Sequence, residues 1–250
     1  MLTQQIEVAS ITDTGLVRKI NEDAVRTVPE LGLLVLADGM GGYNAGEVAS
    51  RLAVDLVVEQ LSAVLKEAKT GVGLRRKAKK IVLQANNAIF HGGRHMDSLE
   101  GMGTTLVIVI LGDSFLFHAH IGDSRLYRYR AGELVQITRD HTTLQDMVDL
   151  EIFPSAEEAK AAGMPGNVLT RALGTSLKEP ELSTGLIARE KEDIYLLCSD
   201  GLSDMVSDEA ISNQIQACGK DLDMMANRLI ALACQAGGRD NISVILARTL

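Results

Sequence analysis

Four aspartates in this 250-residue chain stand after apolar segments or in glycine-rich turns. Asp38 follows the apolar run 33–37, and Asp200 comes two positions after the apolar run Ile194–Cys198. Such a run is expected to be a buried strand, and a bare carboxylate at its end would take up a proton or bind a cation. The pattern predicts carboxylates gathered around metal ions, and the candidates are Asp38, Asp123, Asp200 and Asp240.

Each aspartate also has a purely structural explanation. Asp38-Gly39 could form a tight turn, Asp123 a hairpin turn with a surface salt bridge, and Asp240 a stabilising contact in its own turn. A second Asp-Gly pair at Asp200, again after a buried strand, favours the metal interpretation. Carboxylate and carbonyl oxygens suit Mg²⁺ or Mn²⁺, and the three cysteines have no CxxC spacing that would suggest zinc.

An arginine and three histidines are further candidates. Arg18 precedes Glu22 and Asp23; it could bind a phosphoryl group bidentately or form a salt bridge with nearby carboxylates. His118 and His120 alternate with apolar residues, so we expect them on one face of a strand, packed rather than catalytic. The sequence assigns no role to His141.

Composition and charge exclude several classes of protein. The net charge of −8 argues against nucleic acid as the main partner. No apolar run is long enough to cross a bilayer, and the first ten residues lack the basic and apolar regions of a signal peptide. With three cysteines, an odd number, a disulfide framework is not expected. We therefore expect a cytoplasmic protein without membrane insertion.

Hydrophobic periodicity predicts strands and helices in an α+β order. The predicted helices are 45–65, 74–90, 207–217 and Leu222–Gln235, with weaker helical segments at 144–150 and 156–162. Hairpin-like connections after residues 111 and 130 predict antiparallel pairing. The predicted strands are 6–11, 32–37, 104–111, Phe115–Ile121, Arg125–Arg130, 134–137, 194–199 and 242–247.

Eight short motifs occur in one order along the chain and together are specific for a family. Over about residues 6–247 the chain resembles the metal-dependent protein phosphatases of the PP2C (PPM) family, in their compact bacterial form. The motifs are Arg18 with Asn21-Glu22-Asp23, Asp38-Gly39-Met40-Gly41-Gly42, Gly103-Thr104-Thr105, Gly122-Asp123-Ser124-Arg125, Asp140-His141, Leu169-Thr170-Arg171-Ala172-Leu173-Gly174, Ser199-Asp200-Gly201-Leu202 and Gly238-Arg239-Asp240-Asn241.

The resemblance implies a fold and a metal centre. The fold is an α+β, four-layer α-β-β-α sandwich with two central antiparallel sheets flanked by helix pairs. Residues 1–250 would form a single phosphatase domain, with a mobile flap subdomain at about 142–167. The centre would hold two Mn²⁺ or Mg²⁺ ions: Asp38 bridges both, the Gly39 carbonyl helps bind the first, and Asp200 and Asp240 complete the second. Asp123 with Asp200 would bind a weaker third ion.

The resemblance also implies roles beside the ions. Glu22 and Asp23 would position metal-bound waters, and Arg18 would hold the substrate phosphate. The residues expected to be catalytic are Arg18, Asp38 and Asp200. Some members have a histidine after Asp-Gly, proposed as the general acid; here that position is Met40, which cannot donate a proton.

The expected activity is hydrolysis of phosphoserine and phosphothreonine in proteins by a metal-bridging hydroxide, which reverses Ser/Thr kinase signalling. Expected partners are a cognate kinase and its substrates, and the protein is expected to be a monomer. The main alternative is a catalytically silent PP2C-like binding or regulatory module, which the filled ligand positions disfavour. A Ca²⁺-binding structural protein is a third interpretation, although no EF-hand loop is present.

Overall fold

Two antiparallel β-sheets lie face to face in the structure, a computed structural model that describes residues 6–42, 45–67, 73–95, 99, 101–166 and 168–250. The first sheet has the order β1 (Ile6–Asp13), β11 (Ile242–Thr249), β10 (Ile194–Cys198), β7 (Arg125–Arg130) and β8 (Glu133–Gln136). The second has the order β2 (Asp23–Val28), β3 (Leu33–Met40), β5 (Leu106–Leu111), β6 (Phe115–Ile121) and β9 (Ser183–Ala188), with β4 (Gly103–Thr104) paired to β3.

The inner strands are apolar on both faces because both faces are covered. Successive side chains of a strand point to opposite faces. In β3, Leu34 and Leu36 belong to the core between the sheets, where Tyr195 and Leu197 of β10 also lie. The alternate residues of β3 instead pack beneath the helices on the outer face of the second sheet. The apolar runs in the sequence therefore mark strands covered on both sides.

A pair of helices covers the outer face of each sheet. α1 (Ala45–Glu67) and α2 (Leu74–His95) share a core with the second sheet, and α6 (Asp208–Cys218) and α7 (Leu222–Gln235) share one with the first. This arrangement confirms the predicted α+β sandwich of four layers. In the part of the chain that the structure describes, no helix is long and apolar enough to cross a membrane. The remaining helices are short: a 3₁₀ turn at Pro29–Leu31, α3 (Thr143–Asp149), α4 (Ala156–Ala161) and α5 (Asp200–Ser203).

Several predicted boundaries were wrong, and tertiary pairing explains most of the differences. β3 continues through Asp38 to Met40, beyond the predicted end at residue 37, because Gly39 and Met40 pair with β4. α2 extends to His95, and Asp200 begins a short helix rather than a turn. Strands β2 and β9 were not predicted. Both lie at a sheet edge and mix polar with apolar residues, so their hydrophobic signal is weak.

Asn86 connects α2 to the loop that contains Gly174 and Ser176. Its buried side chain donates from Nδ2 to the Ser176 carbonyl at 2.7 Å and accepts from the Gly174 N–H at 2.9 Å. Gly174 has φ +84°, and a Cβ there would lie 2.2 Å from Ile89, so the loop packs directly on the helix. The neighbouring Leu173 pairs with Thr104 of β4, so Asn86 supports the loop that holds the β4 end of the second sheet.

We predict that Asn86→Ala lowers the free energy of unfolding by about 2 kcal/mol, because it leaves the buried Gly174 N–H without a partner and removes the hydrogen bond to the Ser176 carbonyl. Urea unfolding followed by circular dichroism measures the change. The matched control is Gln84→Ala on the exposed side of the same helix, expected to change stability by less than about 0.5 kcal/mol. Equal losses in the two variants would contradict the role of Asn86.

Candidate metal centre

Five carboxylates and one arginine converge in a cleft of about 260 Å³. They come from separate places in the chain: the loop after β1, strand β3, the β6–β7 turn, the start of α5 and the turn before β11. The cleft thus brings together every metal ligand expected from the sequence. Its lining residues are Arg18, Glu22, Asp38, Gly39, Met40, Gly41, Thr105, Asp123, Leu169, Asp200 and Asp240.

Two threonines fix the backbone of Asp38. Its N–H donates to Thr105 Oγ1 at 2.9 Å, and its carbonyl accepts from the Thr105 N–H and from Thr104 Oγ1, both at 2.8 Å. Thr105 Oγ1 also lies 2.7 Å from Ser124 Oγ, in the turn that carries Asp123. The backbone of Asp38 is therefore satisfied by protein groups, which leaves its carboxylate for the cleft. The sequence motif contained both threonines without revealing this role.

Asn241 holds the loop that carries Arg18 and Glu22 against the start of β11. Its Oδ1 accepts from the Glu22 N–H at 2.8 Å, and its Nδ2 donates to the carbonyls of Thr14 and Ile20 at 3.0 and 2.9 Å. Its own N–H donates to Asp240 Oδ1 at 2.8 Å. Sequence reasoning assigned no role to Asn241; its position directly after Asp240 was the only signal.

The glycines of both Asp-Gly pairs are required by close backbone packing rather than by a turn conformation. A Cβ at Gly39 would lie 2.0 Å from the Gly46 carbonyl oxygen, and one at Gly201 would lie 2.0 Å from the Asn241 carbonyl oxygen. Neither glycine has a positive φ. Each glycine therefore allows close packing against another segment, Gly39 against Gly46 and Gly201 against Asn241. A simple turn would not require this close packing.

Burial and mutual repulsion raise the pKa values of these carboxyl groups. Burial, followed by the charge of Asp123, raises the pKa of Asp200 to about 8. Burial is also the main cause that raises the pKa of Asp123 to about 6 and that of Asp38 well above its usual range, where the charge of Asp23 adds to it. A cation placed among these groups would remove the repulsion, so their electrostatics fit divalent metal ions.

Asp23 lies outside the cleft lining, beside Asp38 on the paired strand. It is buried; one carboxylate oxygen accepts from Ser199 Oγ at 2.8 Å, and the other has no hydrogen-bond partner. Burial raises the pKa of Asp23 to about 6. Of the two acids expected to position waters, Glu22 therefore faces the cleft, whereas Asp23 is a supporting group with one oxygen free to accept from water.

Arg18 forms an ion pair with Asp240, with Nη2 2.6 Å from Oδ2. The sequence offered a salt bridge to Glu22 or Asp23 as the alternative to phosphate binding, and the structure shows a different partner. Both side chains keep part of their surface exposed, 49% for Arg18 and 36% for Asp240. The guanidinium is therefore accessible from the cleft and can exchange this carboxylate for another anion.

The donor set suits ions that keep much of their water shell. Among the described residues, no group of three or more Asp, Glu, His or Cys side chains is arranged closely enough to hold a metal ion without water ligands. Mg²⁺ commonly binds through one or two carboxylates and retains several waters, so a compact cage is not needed. The cleft supplies carboxylates and the Gly39 backbone, all of them hard oxygen donors.

Two stacked histidines lie behind the turn that carries Asp123. The Gly122 N–H donates to His141 Nδ1 at 3.1 Å, and His141 Nε2 lies 2.9 Å from Ser183 Oγ. The His141 ring stacks on His120 with centroids 4.7 Å apart, and burial lowers the pKa of His141 to about 3. His141 is thus a neutral positioning residue. His118 and His120 are buried in β6, as predicted.

This fold and cleft match a known family. Residues 17–229 match the protein phosphatase 2C family, and the chain belongs to it. It is 42% identical over 246 residues to the serine/threonine protein phosphatase PstP of Mycobacterium tuberculosis, covering 98% of this chain and 45% of PstP. It is 35% identical to the serine/threonine phosphatase Stp of Listeria innocua, covering 94% of this chain and 92% of Stp.

Solved structures show the same architecture. The crystal structure of the M. tuberculosis phosphatase PstP superposes with a TM-score of 0.86 at 41% identity, and the match covers 98% of each chain. The catalytic domain of PstP in complex with two manganese ions superposes with a TM-score of 0.84 at 40% identity, covering 99% of this chain and 100% of that domain. The present chain spans less than half the length of full PstP.

We predict that the metal-free protein loses stability as the pH rises. Asp200 and Asp123 keep protons in the folded state, with pKa values of about 8 and about 6, at pH values where the unfolded chain has released them. The folded state then binds more protons, so stability falls with pH. Between about pH 5 and about pH 8 we expect a loss of about 2 kcal/mol or more in EDTA, measured by urea unfolding.

Two variants and a metal titration test the cause of that loss. Asp200→Asn should flatten the dependence on pH, while Asp223→Asn, an exposed acid on α7, should leave it as in the wild type. Adding Mn²⁺ should restore stability at the higher pH, because the ions bind the deprotonated carboxylates. Stability that stays constant or increases with pH in EDTA would contradict the electrostatic description of the cleft.

Proposed function

We propose that this chain hydrolyses phosphoserine and phosphothreonine in proteins with the help of two divalent ions, Mn²⁺ or Mg²⁺. The observation that carries the proposal is the convergence of five carboxylates, the Gly39 backbone and Arg18 in one cleft. The PstP catalytic domain, whose structure was solved in complex with two manganese ions, has the same fold. The activity of the whole protein is a proposal, because the chain matches only 45% of the length of PstP.

We assign the ligands as the family resemblance implies, and all of them line the cleft. Asp38 would bind both ions, with the Gly39 carbonyl on the first and with Asp200 and Asp240 on the second. When bound, two such ions act as Lewis acids and lower the pKa of water, so that hydroxide forms near neutral pH. Asp38 and Asp200 have raised pKa values without a cation, which supports their assignment as ligands.

The other residues of the cleft bind the substrate and position water. Arg18 would release Asp240 and bind the phosphoryl oxygens, for which a guanidinium offers two parallel donors. Glu22 accepts the Gly46 N–H with Oε1 at 3.1 Å, which leaves its other carboxylate oxygen for a water molecule. Met40 lines the cleft and has no proton to donate, so this chain lacks the histidine acid found in some relatives.

A third ion site is supported by a second, smaller cavity. This cavity of about 70 Å³ lies next to the cleft, and Asp123, Asp200 and Asp204 all line it. Asp123 and Asp200 are the two residues expected to hold a third ion, and Asp204, one turn of helix after Asp200, is an additional acid that sequence reasoning missed. We assign the third ion to this cavity, with lower affinity than the first two.

Residues 142–167 are proposed as a flap subdomain within a single phosphatase domain of residues 1–250; Asn167 lies outside the described residues. The flap carries α3 and α4 and is joined to the rest of the chain where Thr142 pairs with Leu169. Its Thr142, Leu144 and Gln145 line the cavity with Asp123 and Asp200. Leu150 is 71% exposed, which suits a segment that contacts a protein substrate.

The substrates we propose are phosphoproteins of a cognate Ser/Thr kinase, reached by a monomer in the cytoplasm. Relatives with the same fold are named serine/threonine phosphatases, which supports this assignment. The competing proposal of a catalytically silent module has less support, because all the positions expected to bind metal face one cleft.

Asp38→Asn should reduce Mn²⁺-dependent hydrolysis of p-nitrophenyl phosphate by more than about a hundredfold, since even outer-shell residues cost 10–100-fold at metal sites. The fold should be retained, because the amide removes a buried charge and leaves the backbone contacts of Asp38 in place. The control is Asp223→Asn, which should have wild-type activity. Turnover at the wild-type rate in Asp38→Asn at saturating Mn²⁺ would contradict the two-metal assignment.

Arg18→Ala should raise KM for phosphate esters roughly tenfold, because a charge-assisted hydrogen bond contributes about 1.5–3 kcal/mol. Affinity for Mn²⁺, measured by calorimetry, should change little. Lys19→Ala, the adjacent exposed cation, is the control for loss of charge. A fall in Mn²⁺ affinity with constant KM would instead assign Arg18 to the support of Asp240.

Exchanging the flap, residues 142–167, for that of another bacterial member should change rates on phosphoproteins more than rates on p-nitrophenyl phosphate. The exposed apolar residues of the flap can contact a protein but not a small ester. Steady-state kinetics on both substrates give the comparison. Equal changes would mean that the flap shapes the catalytic centre, and no change would make it a passive surface segment.

A further inference from the structure

A dense group of cations lies around the start of α2 in an otherwise acidic protein. Residues 66–80 contain seven of the chain's 25 Lys and Arg residues and one acid, while the net charge of the chain is −8. Within the described residues, none of the five cations between 75 and 80 forms an ion pair. The adjoining residues 68–72, which the structure does not describe, include no acid that could neutralise them.

Four of these cations border a groove of about 580 Å³, called here the α2 groove. Its walls include Arg75, Arg76, Lys79, Lys80, Leu83 and Glu179. Apolar atoms form most of its surface, as expected where Lys and Arg lay their aliphatic stems along a groove and keep their charged ends in water. The groove therefore combines an apolar interior with a border of four cations and one carboxylate, that of Glu179.

The charges stand where they oppose the stability of their own helix. The N-terminus of a helix carries a partial positive charge, so acids are favourable there and cations unfavourable. α6 and α7 follow this rule, with Asp208, Glu209 and Asp223 in their first turns. The first turn of α2 has no acid and contains Arg75 and Arg76. Departures from such local stability rules are expected mainly at functional sites. The cations at the start of α2 are therefore candidates for a functional role.

The α2 groove is remote from the catalytic cleft. The C-terminal end of α2 lies near the cleft, because Gly93 packs against Met102 and Met102 packs against Gly41. From Lys80 to Gly93 the helix advances about 20 Å. A phosphoryl group in the cleft cannot also occupy the groove, so a ligand in the groove is a different chemical group from the reacting phosphate.

We propose that the α2 groove binds an acidic polypeptide segment of a phosphoprotein substrate, distant in sequence from the phosphorylated residue. The groove is shallow and open to solvent, so an extended chain can lie along it. Glutamate side chains match both its charged border and its apolar interior. A long polyanion such as nucleic acid would also meet the acidic remainder of the protein. Substrate docking rests on the proposed phosphatase activity, whereas the binding of an acidic peptide does not.

Binding is tested with a fluorescein-labelled, unphosphorylated Glu-rich peptide of about ten residues, followed by fluorescence anisotropy. Arg76→Glu/Lys80→Glu should weaken binding about tenfold or more, as expected for reversal of several exposed charge contacts. The control Lys191→Glu/Arg228→Glu makes the same change in net charge at exposed sites elsewhere and should have less than a twofold effect. Both should fold, the first because Glu is favourable near a helix N-terminus.

Catalysis gives the second measurement. A phosphothreonine peptide joined to the Glu-rich segment by a spacer of about ten residues, which reaches about 33 Å when extended, is compared with one carrying a Gly/Ser segment. The acidic peptide should have the higher kcat/KM, Arg76→Glu/Lys80→Glu should remove that advantage, and p-nitrophenyl phosphate hydrolysis should be unchanged.

The proposal is overturned if both double variants weaken peptide binding equally, because net charge alone would then explain it. It is also overturned if vesicles containing phosphatidylglycerol or a single-stranded oligonucleotide bind the protein through the same residues more tightly than the peptide does. If the peptide binds as expected while every phosphate ester remains uncleaved at saturating Mn²⁺, the groove is supported as an acidic-peptide site and the proposed phosphatase activity fails.

Discussion

The cost of placing several carboxylates together inside a protein is the constraint on which this structure depends. Asp38, Asp123 and Asp200 have raised pKa values because they are buried close to one another, and the protein supplies few cations to balance them. Arg18 pairs with Asp240 at the rim, and Arg125 pairs with Asp140 behind the β6–β7 turn. Protons or ions from solution can balance the remaining charge.

The sandwich fixes the backbone beside these acids, and only Glu22 among those named here is also held through its carboxylate, by the Gly46 N–H. Thr105 fixes the backbone of Asp38, His141 fixes the turn before Asp123, and Asn241 fixes the loop of Glu22. Each of these contacts joins elements that are distant in sequence. The carboxylates therefore remain free to bind ions, while the two sheets provide the stability that their repulsion removes. The cations at the start of α2 are too far away to balance this charge, which is consistent with a separate role for them.

Sequence patterns predicted most of the fold, and all the residues expected to bind metal line one cleft. β5 and β10 are short runs of apolar residues, and α7 begins after Asp221 as its N-cap. These features lie within a few neighbouring residues, so the sequence reveals them directly. β2 and β9 were missed because they mix polar with apolar residues, so their hydrophobic signal is weak. The Arg18–Asp240 ion pair and the contacts of Asn241 join residues more than 200 positions apart, which no local pattern reveals. Asp204 was missed because a single acid on a short helix resembles a surface residue.

The most direct test of the account is to count and locate bound Mn²⁺ by calorimetry together with electron paramagnetic resonance. We expect two ions per chain with magnetic coupling between them, because Asp38 would bind both, and a weaker third. In Asp38→Asn the coupled signal should disappear. Binding of a single ion, or of two uncoupled ions that Asp38→Asn does not affect, would contradict the claim that the buried carboxylates form one shared metal centre.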